Sequence, residues 1–346
     1  MRTYDYTFLK DKIPATTLHL ASIIYDIRAK EKDRINKNPR LFDTLLKKAI
    51  RDSIKGSNAI ENIYATDSRL DAIIKGESNP RTHNEAEMIG YRNVLNNIHT
   101  YNVSIKFDKK TIISMHEEMM KMTGDSSGGC LKKESNVIVE EVNGKQIPVF
   151  IPIAPEKVEE ELDALIESFQ KAMKDPLINP LLSIPCFILD FLCIHPFDDG
   201  NGRISRLLTL LLLYKAGFDI GRFISIENMI NEYKNGYYEA LQASSRGWHT
   251  NSNNYEPFMI FMIKILYECY MKMDKNVFDK IDQKLSKRER VETLLLNAFV
   301  PMSKKDILDQ LPDVSEKLIE LCVSDMLKAG KIKKIGTYRN ARYYRV

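Results

Sequence analysis

Two nearly unbroken apolar stretches, PLLSIPCFILDFLCI (180–194) and RISRLLTLLLLYKAG (203–217), flank the short polar insert HPFDDGNG (195–202). Each has the all-round apolar character of a helix that must be covered on every side. Neither approaches the roughly 20 apolar residues that a membrane helix requires. The longest candidate, Leu207 to Tyr214, is far too short. A fold built around these two helices must therefore hold a charged loop inside a hydrophobic core. What that loop contains is the strongest clue to what the chain does.

The rest of the sequence is mostly helical in pattern. LFDTLLKKAIRDS, AEMIGYRNVLNNI, TIISMHEEMMKM and KVEEELDALIESFQKAM repeat apolar residues every three or four positions. Only NVIVEEVNGKQIPVFIPI reads as strand, with Val137 and Val139, then Ile147, Val149 and Ile151, alternating with other residues. Asn143-Gly144 between the arms predicts a two-residue hairpin turn. A lone hairpin has an edge that can pair with another strand. At 346 residues the chain is long enough for two or three domains. The pattern turns polar near Met273–Ser286, which predicts a domain boundary. Three helical stretches follow, then two short strands around Gly336–Asn340, an order that predicts a winged helix.

Composition narrows the class. With 44% hydrophobic and 28% charged residues the chain is an ordinary globular protein. MRTYDYTFLKDKIP has no signal-peptide core, so a cytoplasmic protein with no membrane partner is expected. Five scattered cysteines without a CxxC argue against a disulfide framework or a zinc site. The net charge of +4 is small, but residues 285–346 carry 13 Lys+Arg against 8 Asp+Glu, so the excess lies in the tail.

The insert leads into the N-terminus of the second apolar helix. Unpaired N–H groups and partial positive charge there suit an anion. Gly200 and Gly202 allow a backbone to close around phosphate. Arg203 and Arg206 stand at i, i+3 and share a face, and guanidiniums bind phosphate oxygens bidentately. Asp199 beside a polyphosphate is a natural Mg²⁺ ligand. His195, which titrates near neutrality, is the candidate general base. The competing reading is a satisfied core histidine before a charged helix start, but it leaves glycines, acid and both arginines as coincidence. A metal site on His195 and Asp199 is a third reading. The HEEMM at His116 does not supply it, since Met120 stands where HExxH needs a histidine.

The run HPFDDGNGRISR resembles the signature of the Fic family, His-Pro-Phe-x-Asp/Glu-Gly-Asn-Gly-Arg-x-x-Arg, at every fixed position. The resemblance implies a mainly α fold: a Fic-type helical core with one β-hairpin flap, here followed by the winged helix. The resemblance covers roughly residues 40–275, and with the polar boundary it predicts an N-terminal helical region (1–100), a catalytic core (101–275) and a tail domain (285–346). It implies transfer of AMP from ATP, with Mg²⁺, to a hydroxyl side chain of a protein. His195 would deprotonate the hydroxyl, Asp199 hold the metal, and Gly200, Asn201 and Gly202 form the anion hole. Arg203 and Arg206 would hold the β and γ phosphates, and Phe197 would anchor the loop. SNAIEN at Ser57–Asn62 is similar to the family's inhibitory motif, which implies that Glu61 pairs with Arg206 as a bidentate carboxylate and blocks the productive ATP pose. The hairpin at Val137–Ile151 resembles the flap that binds the target main chain by strand addition. It departs from relatives that carry Arg and Gln before the first strand, having Lys132 and Ser135. NEYKNGYYEALQASSR resembles the border of the adenine pocket, where Tyr237 or Tyr238 would stack on the base, with core packing as the competing role for either.

The tail keeps other readings open. A basic winged helix suggests nucleic-acid contact. Yet its third helix carries Glu316, Glu320 and Asp325, and the positive charge lies in Lys331, Lys333, Lys334, Arg339, Arg342 and Arg345 of the wing. Weak phosphate contact and protein docking are both compatible with that. Removal of AMP through the same site, with Glu61 positioning a water, is an alternative enzyme. A nucleotide-sensing DNA-binding regulator is the non-enzymatic one. Formation of a homodimer, which could regulate Glu61, is left open.

Overall fold

The computed structural model describes residues 2–11, 13–37, 39–76, 79–142, 145–274, 286–298, 301–336 and 341–345. The expected Asn143-Gly144 turn, the boundary segment 275–285, and the wing tip with Arg339 lie outside the described residues. So does the side chain of Arg345. The fold is mainly helical. Met1–Lys32 with Arg40–Met273 forms one compact unit, and Asp33–Pro39 with Asp274–Val346 a second.

The two apolar stretches are helices at the centre of the first unit. α7 (Pro180–Ile194) starts where Asn179 accepts the N–H of Leu181 and Pro180 takes the first helical position. Every residue from Leu181 to Ile194 is buried. α8 (Asn201–Lys215) is nearly as enclosed. Around them pack α4 (His83–Tyr101), α5 (Lys109–Met120), α6 (Pro155–Lys174), α10 (Lys234–Ser245) and α11 (Glu256–Met273). This ring buries the all-round apolar surface that the sequence demanded. α1 (Ala15–Lys37), α2 (Pro39–Ile60), α3 (Asp67–Lys75) and α9 (Ile226–Glu232) complete the helices of this part of the chain. The N-terminal region and the core expected at 101–275 thus share one interior.

The hairpin pairs β1 (Ile138–Val142) with β2 (Lys145–Phe150) antiparallel, in a register running from Ile138 opposite Phe150 to Val142 opposite Lys145. An irregularity falls between Ile138 and Val139. Its root is fixed by Phe150, which stacks on His249 and meets Trp248 edge-on. Val137, Val139, Ile147 and Ile151 remain exposed.

The second unit contains α12 (Lys287–Asn297), α13 (Lys304–Gln310) and α14 (Glu316–Lys328), then β3 (Ile332–Ile335) antiparallel to β4 (Arg342–Arg345). Met302 bridges to Tyr343 beside the pair. Capping boxes at Ser286/Glu289 and Ser303/Asp306 start α12 and α13. Val291, Leu295, Ile307, Ile319, Cys322 and Tyr343 belong to its own core. Among the described residues no helix is long and apolar enough to cross a membrane.

Candidate active site

α7 ends at His195, whose backbone is left-handed at φ 53°. That conformation normally falls to glycine after a helix and strains a residue with a Cβ by about 1–2 kcal/mol. The turn carries the chain out of the core and delivers the imidazole to a cavity of about 710 Å³, a size suited to a nucleotide-scale ligand. His195 Nδ1 lies 3.3 Å from the Leu192 carbonyl. A carbonyl only accepts, so the proton sits on Nδ1 and Nε2 keeps its lone pair. Burial pulls the His195 pKa down to about 4, with the Lys132 ammonium acting in the same direction and Glu61 and Asp199 against it. The ring is neutral at physiological pH.

The loop after His195 is tied down by its own residues. Asn201 accepts the Phe197 N–H at 3.0 Å and donates to the Phe197 carbonyl at 2.8 Å. Phe197 is fully buried and stacks on His116 at 3.8 Å between ring centroids. His116 takes the Gly129 N–H on Nδ1 at 3.0 Å, so its Nε2–H donates to the Asp199 carbonyl at 3.1 Å. Burial lowers its pKa and keeps this tautomer neutral. Gly200, at φ 79°, caps α8 in a conformation that favours glycine. Sequence reasoning considered His116 only as a metal ligand. Its place on the buried stripe of Ile112, Met115 and Met119 was the signal for a packing role.

The two arginines, expected to act together, part company. Arg206, with Gly202 and Glu61, lines the cavity. Arg203 is not among the lining residues. Its side chain is almost wholly buried, with Nη1 3.0 Å from Glu87 Oε1 and Nη2 3.0 Å from Asp199 Oδ2. α4 supplies the Glu87 that draws it away, a partner 116 positions earlier that local spacing does not reveal.

Glu61 sits in the turn after α2 and reaches Arg206 Nη2 with Oε1 at 2.8 Å. The contact is through one oxygen, not the bidentate fork expected. Ser57, one helical turn earlier, fills the remaining positions: its Oγ accepts from Nε at 2.8 Å and its carbonyl from Nη2 at 2.9 Å. Burial is the largest influence on Arg206 and works against its charge, but Glu61, Tyr237 and Tyr91 together outweigh it and raise the pKa. The Glu61 turn is held in turn by α10. Lys234 Nζ donates to Asn62 Oδ1 at 2.9 Å and Tyr238 OH to the Ile60 carbonyl at 3.3 Å. Glu61 rests on Gly202, where a Cβ would stand 2.2 Å from its Oε1.

The cavity is closed by Ile138, Val139, Val149 and Phe150 of the hairpin and by Tyr237, Tyr238 and Gln242 of α10. Tyr237 is buried against Phe258 and Phe261, whereas Tyr238 is half-exposed. Among the described residues no group of three or more His, Cys, Asp or Glu could hold a metal ion. Asp198 and Asp199 are both exposed in the loop, and the Asp199 side chain, beside the start of α8, is 66% exposed. That fits Mg²⁺, which takes few protein ligands when phosphate oxygens supply the rest.

Residues 106–213, which span α5, the hairpin, α6, α7 and most of α8, match the Fic/DOC family. The chain carries a Fic/DOC family domain. The chain is 27% identical over 235 residues to "Protein adenylyltransferase Fic" of Nematostella vectensis, covering 63% of this chain and 48% of that one. It is 32% identical over 76 residues to a Fido domain-containing protein of Dictyostelium discoideum, covering 22% of this chain and 53% of the other. The chain thus spans about half the length of these curated relatives. A solved Fic family protein from Desulfovibrio desulfuricans G20 aligns over 97% of both chains with a TM-score of 0.63 at 19% identity. At that identity the likeness is one of fold, and it extends well beyond the matched Fic domain.

Proposed function

We propose that this chain is a protein adenylyltransferase that moves AMP from ATP to a Ser, Thr or Tyr hydroxyl of a target protein and is restrained by its own Glu61. The observation that carries the reading is a neutral His195, with Nε2 free of the Leu192 contact, on the wall of a nucleotide-sized cavity that also holds Gly202 and Arg206. Relatives named as protein adenylyltransferases support the same class.

In this reading the target's hydroxyl oxygen bonds to the α-phosphorus and its proton passes to His195 Nε2. The bond from α-phosphorus to the bridging oxygen breaks and pyrophosphate leaves. The N–H groups of the first turn of α8 and the Arg206 guanidinium face the phosphates, whose charge suits a helix N-terminus. Asp199 would hold Mg²⁺, which would neutralise phosphate charge, and to do so its Oδ2 must leave Arg203. Tyr238, the more exposed of the tyrosine pair, is the better placed for the base, and Tyr237 serves the core. The exposed apolar residues of the hairpin suit a target strand laid against it. Glu61, by engaging Arg206, removes the cation that the terminal phosphate needs.

Glu61 lines the same cavity as His195, which favours one second reading: removal of AMP by a water that Glu61 holds. We read the second unit as a winged helix on its element order, with a docking or weak phosphate-binding role. The deciding experiment incubates wild type, Glu61→Gly, and Glu61→Gly with His195→Ala with α-labelled ATP and Mg²⁺. Label on protein that rises at least about tenfold in the single variant and vanishes in the double supports restrained transfer. No label from any of them, with release of AMP from pre-labelled protein by wild type, supports removal.

A further inference from the structure

One buried amine stands against the turn that presents His195 and has no part in the chemistry above. Lys132 lies on the segment between α5 and β1 and is 3% exposed. Its backbone N–H donates to the Pro196 carbonyl at 2.9 Å. Its Nζ donates to the Ile194 carbonyl at 3.2 Å. One residue therefore grips the carbonyls on both sides of the left-handed His195. Nζ also donates to Asn136 Oδ1 at 3.0 Å, two residues before β1 begins.

A buried lysine is rare, because desolvating an ammonium is unfavourable unless the site repays it. Here the described partners of Nζ are neutral oxygens rather than a carboxylate. One of them is the last carbonyl of α7, where the helix dipole is negative. Filling the space with an apolar side chain would meet the packing need without that penalty. What an apolar residue would not do is hold the His195 turn and the hairpin root through one group.

We propose that Lys132 is a positioning residue for the transfer reaction, holding the His195 turn in its strained conformation and joining it to the root of the flap. The proposal rests on the transfer reading above. It gives the base and a target strand on the flap a common support, so that the hydroxyl arrives where Nε2 already points. Orientation of this kind acts on the chemical step more than on nucleotide binding. The charged groups that face His195 are Lys132, Glu61 and Asp199. Lys132 itself is pulled down to about 8 by burial, with Asp198 opposing.

The test uses the full chain carrying Lys132→Met, Lys132→Arg or Asn136→Ala, each with Glu61 intact and with Glu61→Gly. The His195 ring is titrated by NMR, and transfer is measured in the Glu61→Gly background. Lys132→Met is expected to move the His195 titration to higher pH, since a neighbouring cation is gone. It is also expected to lower kcat about tenfold or more, with the nucleotide KM changed less than about twofold. Lys132→Arg, which keeps charge and donors, recovers most of that loss. A folded Lys132→Met with unchanged kcat and an unmoved His195 titration overturns the proposal. Should Lys132→Met fail to fold, Asn136→Ala decides: reduced kcat with an unmoved titration supports the flap link, and unchanged kcat overturns it. If Glu61→Gly transfers nothing from any nucleotide, the transfer reading falls. The His195 titration then still decides whether Lys132 governs that residue, upward movement supporting it and no movement overturning it.

Discussion

Arg206 shows how much a single side chain can depend on distant partners. Its guanidinium is met by Ser57 Oγ and the Ser57 carbonyl from α2, and by Glu61 Oε1 from the turn that follows. With Glu61 removed, the two Ser57 contacts to Arg206 are still available to anchor it. A second buried charge tells the opposite story. Glu31 on α1 is 5% exposed and its Oε2 has no hydrogen-bond partner among the described residues. Burial, with Asp219 adding, raises its pKa to about 7 against the pull of Arg28 and Arg222. The folded state therefore holds this proton more tightly than the unfolded chain. Stability falls as pH rises from the ordinary carboxylate range through about 7, and the penalty is complete above it. Glu31→Gln is expected to stabilise the protein by about 1–3 kcal/mol at pH 8, a gain absent near pH 4. Denaturant titrations at both pH values check this. His195, Asp199, Gly202, Arg206 and Glu61 were all marked by residue type and motif. The Glu61–Arg206 pair was expected from the motif, though as a bidentate fork rather than the single-oxygen contact found. Arg203 was assigned to phosphate from its spacing, and the structure gives it to Glu87 and Asp199.

Elements set the depth at which Glu61 enters. α2 crosses α9 at Gly56, where a Cβ would stand 2.6 Å from the Asn228 backbone. Beside it Ser53 Oγ donates to Glu227 Oε2 at 2.7 Å. Gly56→Ala must push α2 outward, an overpacking penalty of about 1–3 kcal/mol. Because Glu61 follows α2 directly, the same variant is expected to label protein more than wild type and less than Glu61→Gly. Label incorporation measured alongside a melting curve would show it, and unchanged labelling in a destabilised variant would rule it out. At this scale the periodicities were legible: α7, α8 and the hairpin lie where apolar pattern put them. The N-terminal segment was not legible. MRTYDYTFL was read only for lack of a leader, yet Arg2, Tyr4 and Tyr6 are buried in alternation. Tyr6 OH and Trp248 Nε1 donate to Asp190 in the middle of α7 at 2.9 and 2.7 Å. Alternation over so few residues resembles any short loop until its acceptors, at Glu161 and Asp190, are brought alongside.

For the molecule as a whole, the second unit raises the question of partners. Its acidic helix α14 pairs Glu320 with Lys304 and Asp325 with Arg288, while Lys331, Lys333 and Lys334 stay exposed at and beside β3. Contacts of exposed lysines with phosphate are indifferent to base sequence and sensitive to salt. A gel shift with random duplex is expected to show weak binding at low salt that is lost at physiological salt and in Lys333→Glu with Lys334→Glu. Absence of any shift at low salt would leave protein docking as the role of the unit. The sequence by itself determined the helical class, the central apolar pair and the set of polar residue types gathered in the 195–206 loop. These depend on residues adjacent in the chain, whose spacing dictates which of them share a helix face or a turn. Only the tertiary structure decided that Glu61 meets Arg206 through one oxygen across 145 positions, that Arg203 turns to Glu87, and that Lys132 clasps the His195 turn. Periodicity marks the faces that must be buried. Which face meets which follows from packing the whole apolar surface at once, and no local stretch of chain carries that information.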